Sequence, residues 1–154
     1  MRADTRTAIA EVRRLVDDLR QSALDELGLV AALEVRAAQT VRRADGAALH
    51  ATVEAGRLGA LPAAVEVAAY RIATEALINV VRHSGAGRVV IRLTPAESML
   101  CLEVLDDGPA ETSWTAGVGM SSMRERAEEL GGTYLVGPGE HGGAVRAQLP
   151  LVTT

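Results

Sequence analysis

Four stretches of the chain have the sequence character of helices. In the first of them apolar residues recur at steps of three and four, which is the period of an amphipathic helix. Pro62 lies near the start of the third stretch, where proline is favoured, and glycines follow the second and the fourth. The predicted helices cover residues 5–28, 29–46, 61–85 and 120–132.

The first of these stretches has its apolar residues at the a and d positions of a short heptad pattern, and Gly28 ends it. Two interpretations stay open for this helix. It either packs on its own domain as an amphipathic helix, or it forms one helix of a dimer-forming bundle. The heptad positions are Ile9, Val12, Val16, Leu19 and Ala23.

Five further stretches alternate or run apolar in the manner of strands, with loops between them. Adjacent strands joined by short turns favour antiparallel pairing, and no crossover helix separates the second strand from the third. The sequence therefore predicts an α+β fold. We expect a two-layer α/β sandwich with a mixed, mostly antiparallel sheet, covered on one face by helices and preceded by an N-terminal helix. The predicted strands cover residues 48–55, 88–93, 99–108, 133–137 and 144–151.

Composition narrows the classes of protein. The 154 residues suit one domain, and its core must use Leu, Val, Ile and Ala because the chain has one Trp, two Tyr and no Phe. A net charge of -4 argues against general binding to nucleic acid or to an anionic membrane. The single cysteine, Cys101, excludes an internal disulfide and a cysteine-based zinc site. No apolar run has the length of a membrane span, so we expect a soluble, cytoplasmic chain.

The third predicted helix carries a row of polar side chains that would need hydrogen-bond or ionic partners if buried. Glu75, Asn79 and His83 follow one another at steps of four, which places them on one face of a mostly apolar helix. Buried without partners, such groups would destabilise the fold. The alternative is an ordinary solvated stripe on a helix surface.

Three more features lie downstream: the acidic pair of "LDDGPA", the "GVGM" before a helix, and the glycine-rich "GEHGGAV". Each alone is most often a turn or a cap. Together they suggest a nucleotide, because a glycine-rich segment entering a helix suits phosphate and a strand-end carboxylate can accept a hydrogen bond from the adenine amine. The Asn79 oxygen could ligate magnesium, and Glu75 could orient or deprotonate the attacking group.

Four motifs in this order resemble one family. "LDELGLVAAL" is similar to the junction between dimerisation helices and catalytic domain, "EALINVVRHSGA" to an N box, "VLDDGPA" to a D box and "GVGMSSMRERAEELGG" to a G2 box with its helix. From about residue 10 to residue 151, the chain resembles the ATP-binding catalytic domain of two-component sensor histidine kinases. These belong to the GHKL ATPase superfamily, and the resemblance is to the branch whose response regulators are of the NarL type.

The resemblance implies ATP and Mg as ligands and gives roles to matching residues. Glu75 matches the catalytic base or polarising group, and Asn79 matches the magnesium ligand. Asp106 matches the aspartate that binds the adenine amine, and Gly108 the glycine beside the ring. Residues 109–118 match the ATP lid. The implied ATP-binding residues are Asn79, Arg82, His83, Asp106, Gly108, Gly117, Gly119 and Met120.

Two departures from the family pattern weaken the expectation of tight ATP binding. The D box has Ala110 where a final glycine is usual, preceded by Pro109, and Gly143 stands where a threonine helps to hold adenine. The phosphoacceptor motif is also missing, since none of the three histidines lies in its context. We therefore expect a fragment or a natural truncation that carries the catalytic half.

The resemblance also implies an organisation and partners. Residues 1–27 would end the dimerisation and phosphotransfer region, and residues 28–154 would form the ATP-binding catalytic domain. The γ-phosphoryl group would pass to a histidine on a dimerisation helix absent from this chain, and then to a NarL-type response regulator. Residues 5–25 would support a homodimer. The chain would be cytoplasmic, on its own or as the cytoplasmic part of a membrane-bound sensor, without direct contact to nucleic acid or membrane.

Two other functions remain open at this stage. An anti-sigma-factor-type serine kinase has the same ATPase fold, although the heptad helix and "LDELGL" speak against that class. A degenerate nucleotide-binding or docking module would agree with Ala110 and Gly143. Fold alone does not separate these functions.

Overall fold

The computed structural model describes residues 24–109 and 118–151. Two predicted features lie mostly outside this part: the N-terminal helix with the proposed dimer contacts of residues 5–25, and the lid at residues 109–118. Residues 24–27, at the end of the predicted N-terminal helix, are helical. The further elements are α1 (Leu29–Gln39), β1 (His50–Ala55), α2 (Ala63–His83), β2 (Arg88–Ala96), β3 (Met99–Asp106), α3 (Val118–Glu129), β4 (Thr133–Pro138) and β5 (Gly143–Pro150).

The strands β1 to β5 form one sheet in the order β1-β2-β3-β5-β4. β1 pairs with β2 in parallel, since the chain returns through α2 between them. The remaining three pairings are antiparallel. Short connections join β2 to β3 and β4 to β5, whereas the chain passes from β3 to its partner β5 through α3 and β4. The prediction of a mixed, mostly antiparallel sheet is confirmed.

Helices cover one face of this sheet because the strands alternate between apolar and polar positions. In β3, Leu100, Leu102 and Val104 are buried, and the residues between them are half-buried. α2 packs on the buried face with an apolar side that extends from Val65 to Val80. The largest fully buried side chains are all Leu, Ile or Val, as the scarcity of aromatics predicted. Among the helices of the described part, none is both long enough and apolar enough to cross a membrane.

The opposite face of the sheet carries a row of alternating charges across four strands, which we call the charge ladder. Arg92 donates from Nε to Oε2 of Glu54 at 3.1 Å, and its Nη1 lies 3.9 Å from Oε1 of Glu103. Arg146 donates from Nε to Oε2 of Glu103 at 3.0 Å. Because these side chains are partly or largely exposed, each pair contributes only about 0.2–1 kcal/mol. The ladder keeps this face polar, so the other face turns to the helices.

The predicted extension of the second helix to about residue 46 is wrong. Helix α1 ends at Gln39, and residues 41–49 form a small hairpin with backbone hydrogen bonds across it. Asp45 and Gly46 make its turn, with Gly46 at a φ of 87°. Asp-Gly is a strong hairpin-turn signal, and glycine adopts positive φ without strain. The turn therefore prevails over the helical spacing of the preceding residues.

Candidate functional site

The C-terminal half of α2 carries the polar face that the sequence predicted. Because α2 is unbroken up to His83, Glu75, Asn79 and His83 follow one another on one side of it. Glu75 and Asn79 are half-buried, whereas Arg82 and His83 in the last turn are exposed. The polar row thus begins at the border of the core and ends in solvent.

Asp106 ends β3 with a side chain that is almost fully enclosed; 6% of the residue is exposed. Its Oδ1 accepts hydrogen bonds from the N–H groups of Gly108 at 2.8 Å and Gly143 at 3.3 Å. Burial raises the pKa of Asp106, the hydrogen bonds from these two N–H groups lower it, and the negative charge of Asp107 raises it. The result is a carboxylate held in one orientation by Oδ1, and neither of these hydrogen bonds uses Oδ2.

Two glycines close around this carboxylate, and a side chain at either position would crowd the neighbouring atoms. A Cβ on Gly108 would lie 3.0 Å from Oδ1 of Asp106 and 3.2 Å from the backbone nitrogen of Ala86. A Cβ on Gly142 would collide with the carbonyl oxygen of Asp106 and lie 2.7 Å from that of Gly108. The backbone of residues 106–108 therefore packs directly against that of Gly142, and we call this arrangement the glycine cradle.

Asp107 joins the end of α2 to the end of β3, a role that the sequence analysis missed. Its Oδ1 accepts hydrogen bonds from the N–H groups of Gly87 at 2.8 Å and Arg88 at 2.9 Å. These bonds hold the loop that leaves α2, residues 84–87, beside the glycine cradle. The fold thereby brings the end of the polar helix face and Asp106 to the same region, as the sequence predicted. The sequence feature that could have indicated this role of Asp107 was the second carboxylate of "LDDG".

A buried tyrosine near Glu75 was also missed. Tyr134 on β4 is 6% exposed. Burial raises the pKa of its phenol, the charge of Glu75 raises it further, and Arg124 on α3 lowers it. The charges of Glu75 on α2 and Arg124 on α3 thus both act on the Tyr134 phenol. The only sequence signal was the rarity of aromatic residues.

The remaining predicted residues lie on α3, on β5 or outside the described part of the chain. The backbone of Gly119 and Met120 belongs to the first turn of α3. Gly117 and Ala110 lie outside the described residues, as does the lid between them. Gly143, at the position of the family's threonine, begins β5 and contributes its backbone N–H to Asp106.

The enclosed carboxylate predicts a pH dependence of stability. Since the folded-state pKa of Asp106 is raised above its unfolded value, its stabilising contribution is complete below the unfolded pKa, about 3.9, and is lost as the pH rises through the folded pKa. Asp106→Asn imitates the neutral form and retains an oxygen for Gly108 and Gly143. We expect this variant to have a higher free energy of unfolding than wild type at pH 7, measured by urea denaturation.

The difference between the two proteins should shrink as the pH falls towards about 4. Asp107→Asn is the matched control, because Asp107 is exposed and its Oδ1 contacts can be retained by an amide oxygen. An Asp106→Asn variant that is less stable than wild type at pH 7 would contradict the assignment of a raised pKa.

Comparison with known proteins gives the chain its relatives. No protein-family model matches it. It is 35% identical over 150 residues to the sensor histidine kinase MctS of Rhizobium johnstonii, covering 93% of this chain and 32% of MctS. It is 32% identical over 141 residues to the signal transduction histidine-protein kinase/phosphatase UhpB of Salmonella typhimurium, covering 90% of this chain and 28% of UhpB. The chain thus spans about a third of the length of the curated relatives that it matches.

The fold has the same relatives. The histidine kinase domain of a blue-light activated histidine kinase from Erythrobacter litoralis superposes with a TM-score of 0.57 at 22% identity, covering 80% of this chain and 61% of that one. This likeness concerns the fold, and it agrees with the predicted α+β sandwich. The sequence identity to these relatives shows that the chain belongs to the sensor histidine kinase family, and its fold agrees with that assignment.

Proposed function

We propose that this chain binds ATP between α2 and the end of β3 and transfers the γ-phosphoryl group to a histidine on a dimerisation helix. It would thus act as the ATP-binding catalytic portion of a sensor histidine kinase. The observation that carries this proposal is the enclosed Asp106 carboxylate, fixed by Gly108 and Gly143 beside the end of the polar face of α2. Its relatives are sensor histidine kinases, which does not favour the serine-kinase alternative.

The glycine cradle has the features that an adenine ring requires. The exocyclic amine of adenine is a donor, and Asp106 offers a carboxylate whose Oδ1 is already held by two N–H groups. Because Gly108 and Gly142 lack side chains, the backbone around the carboxylate packs closely and keeps Asp106 in place to accept that hydrogen bond. We assign the phosphates to the exposed end of α2, at Arg82 and His83, and to Gly119 and Met120 at the start of α3, with Gly117 preceding that helix in the sequence.

The polar row of α2 also fits a magnesium ion that arrives with the nucleotide. Within residues 24–109 and 118–151, no group of three or more His, Cys, Asp or Glu side chains could hold a metal by itself. Mg²⁺ commonly takes one or two protein oxygens and completes its shell with phosphate oxygens and water. Asn79 would supply the protein oxygen, with Glu75 one turn away. Bound Mg²⁺ would neutralise charge on the phosphate oxygens.

Glu75 is the residue that we propose acts on the phosphate acceptor. Its carboxylate would accept a hydrogen bond from one ring N–H of the acceptor imidazole, which makes the other ring nitrogen a better nucleophile. Its half-buried position at the border of the core leaves it accessible to such an acceptor. The rest of the contribution of the chain is positioning, since phosphoryl transfer needs alignment and charge stabilisation more than covalent chemistry.

Glu75→Gln is expected to lower the rate of phosphoryl transfer about 100-fold, because the amide cannot accept a proton and polarises the imidazole less. The dissociation constant for ATP should stay within about twofold of wild type. Transfer of labelled γ-phosphate to a supplied dimerisation-helix fragment of a sensor histidine kinase measures the rate. Acid-labile phosphohistidine supports the proposal, whereas acid-stable phosphoserine on a protein substrate, or equal rates for both proteins, would contradict it.

Asn79→Ala is expected to remove most of the gain in ATP affinity that magnesium provides. Calorimetric titration of ATP with and without Mg²⁺ measures this gain in each protein. Glu66→Ala, in the first turn of the same helix, is the control and should keep the wild-type response. A full magnesium effect in Asn79→Ala would rule out Asn79 as the ligand.

The partners and the division of the chain are part of the same proposal. Residues 1–27 would belong to the dimerisation region and residues 28–154 to the catalytic domain, with a homodimer formed through residues 5–25. A response regulator of the NarL type would receive the phosphate in the cytoplasm, where ATP is available. Sedimentation over a range of concentrations tests the dimer, and transfer to purified NarL-type and other receiver domains tests the regulator class.

A further inference from the structure

The hairpin after α1 reaches the glycine cradle through one arginine. Arg43 donates from Nε and Nη2 to the two carboxylate oxygens of Asp45, at 3.1 Å and 2.8 Å. Asp45 also accepts a hydrogen bond from the backbone N–H of Ala47 at 3.0 Å. The planar guanidinium is therefore held by a two-point contact from within its own hairpin.

The third contact of this guanidinium leaves the hairpin. Nη1 of Arg43 donates to the carbonyl oxygen of Ala86 at 2.9 Å, and the Arg43 side chain is only 18% exposed. Ala86 itself is fully buried. The neighbouring residue Ala44 donates its N–H to the carbonyl oxygen of Val81 in the last turn of α2 at 2.9 Å. The hairpin is thus fastened to the end of α2 and to the loop that follows it.

That loop, residues 84–87, is a wall of the glycine cradle. A Cβ on Gly108 would lie 3.2 Å from the nitrogen of Ala86 and 3.3 Å from that of Gly85. The loop is also held by Ser84, whose Oγ accepts the Ala86 N–H at 3.1 Å, and by Asp107 at Gly87. These two anchors lie within the loop or the D-box segment.

Arg43 differs from both anchors because it belongs to a separate segment of the chain. From this geometry we infer that Arg43, oriented by Asp45, is a positioning residue for nucleotide binding. It sets the place of the Ala86 carbonyl, and so the approach of residues 85–86 to Gly108 and Asp106. The inference rests on the proposed ATP site. Because the hairpin directly follows α1, it also links the position of α1 to the nucleotide pocket.

The test compares Arg43→Ala and Arg43→Lys with wild type, and uses Arg42→Ala as the matched control. Arg42 lies in the same hairpin, but its Nη1 donates only to Gly46 within it. Lysine keeps the charge but lacks the planar fork needed to serve Asp45 and Ala86 together. Calorimetric titration should show a dissociation constant for ATP raised about tenfold in Arg43→Ala, the effect of losing one charged hydrogen bond. Arg43→Lys should show most of the affinity loss seen in Arg43→Ala, and Arg42→Ala should bind ATP as tightly as wild type.

Two readouts separate positioning from a general loss of stability. Amide hydrogen exchange of residues 85–88 in the nucleotide-free protein should accelerate about tenfold in Arg43→Ala, with the exchange of β3 and β5 unchanged. The preference for ATP over inosine triphosphate should also fall, since the displaced wall lies beside Asp106. A lowered melting temperature with unchanged affinity and preference would overturn the inference and leave the ATP site intact. A wild-type chain that binds no ATP would overturn the proposed function and the inference together.

Discussion

Asp106→Asn is expected to weaken ATP binding about 100-fold and to leave the fold intact. The asparagine oxygen can still accept the hydrogen bonds from Gly108 and Gly143, so its NH₂ group replaces the oxygen that would face adenine. Two donors, the amide and the adenine amine, would then oppose each other in an enclosed site. Leaving such groups unpaired typically removes about 1–3 kcal/mol each. Calorimetric titration of ATP measures the loss.

Inosine triphosphate makes this test specific to the base. Its ring has a carbonyl oxygen where adenine has the amine, so the NH₂ of the variant finds an acceptor. We expect wild type to prefer ATP and Asp106→Asn to reduce or invert that preference, an effect that unfolding does not produce. Asp107→Asn should retain the wild-type preference, because an amide oxygen can keep the side-chain contacts to Gly87 and Arg88, and neither contact involves the Asp106 carboxylate. Equal losses for both nucleotides would place the adenine amine elsewhere.

Gly142→Ala is expected to destabilise the protein by about 3 kcal/mol or more, at the upper end of overpacking effects. The added Cβ would collide with the carbonyl oxygen of Asp106 and lie 2.7 Å and 2.8 Å from the oxygen and nitrogen of Gly108. These are backbone atoms, so they cannot move aside as the end of a flexible side chain can. Urea denaturation measures the change in free energy of unfolding.

Gly137→Ala is the matched control for this substitution. Gly137 lies on β4, and a Cβ built there meets no atom within 4 Å. Its effect should remain within about 0.5 kcal/mol, as for an ordinary surface substitution. If Gly142→Ala were as stable as Gly137→Ala, the backbone of residues 106–108 would not be packed against Gly142.

The sheet could be predicted from sequence because its strands obey a short-range rule. Alternation in β3 and the apolar run in β2 identify strands whatever they pack against, and their spacing forbids a crossover helix between them. The end of α1 could not be placed in this way. Helical spacing continues past Gln39, but the Asp45–Gly46 turn offers the backbone a different set of hydrogen bonds. Where two local signals overlap, the winner depends on tertiary contacts such as that between Ala44 and α2.

The residues of the candidate site also fall into two groups, those that a short motif can identify and those brought together only by the fold. Asp106 and Gly108 are two residues apart in the sequence, and the polar residues of α2 recur with the helical period. Short sequence motifs can therefore contain each of these two groups. Arg43 meets Ala86, and Asp107 meets Gly87, only after the chain has folded. Gly142 looked like part of an ordinary hairpin turn, and its role depends on backbone atoms from β3. Sequence patterns thus identified the groups proposed to contact the nucleotide and missed those that support them.

The single parallel pairing of the sheet imposes an order on folding. In the described part of the chain, β1 is an edge strand paired with β2 alone, and the chain between these two strands contains α2. Such a pairing forms late, because the entropy of closing the intervening segment opposes it until the helix has shortened that segment. We therefore expect α2 to form before β1 docks. The helix that we propose holds the phosphates and the metal would then also be the surface on which the domain assembles. We expect substitutions on its apolar side to change the rate of folding, and substitutions on its polar side to change the chemistry.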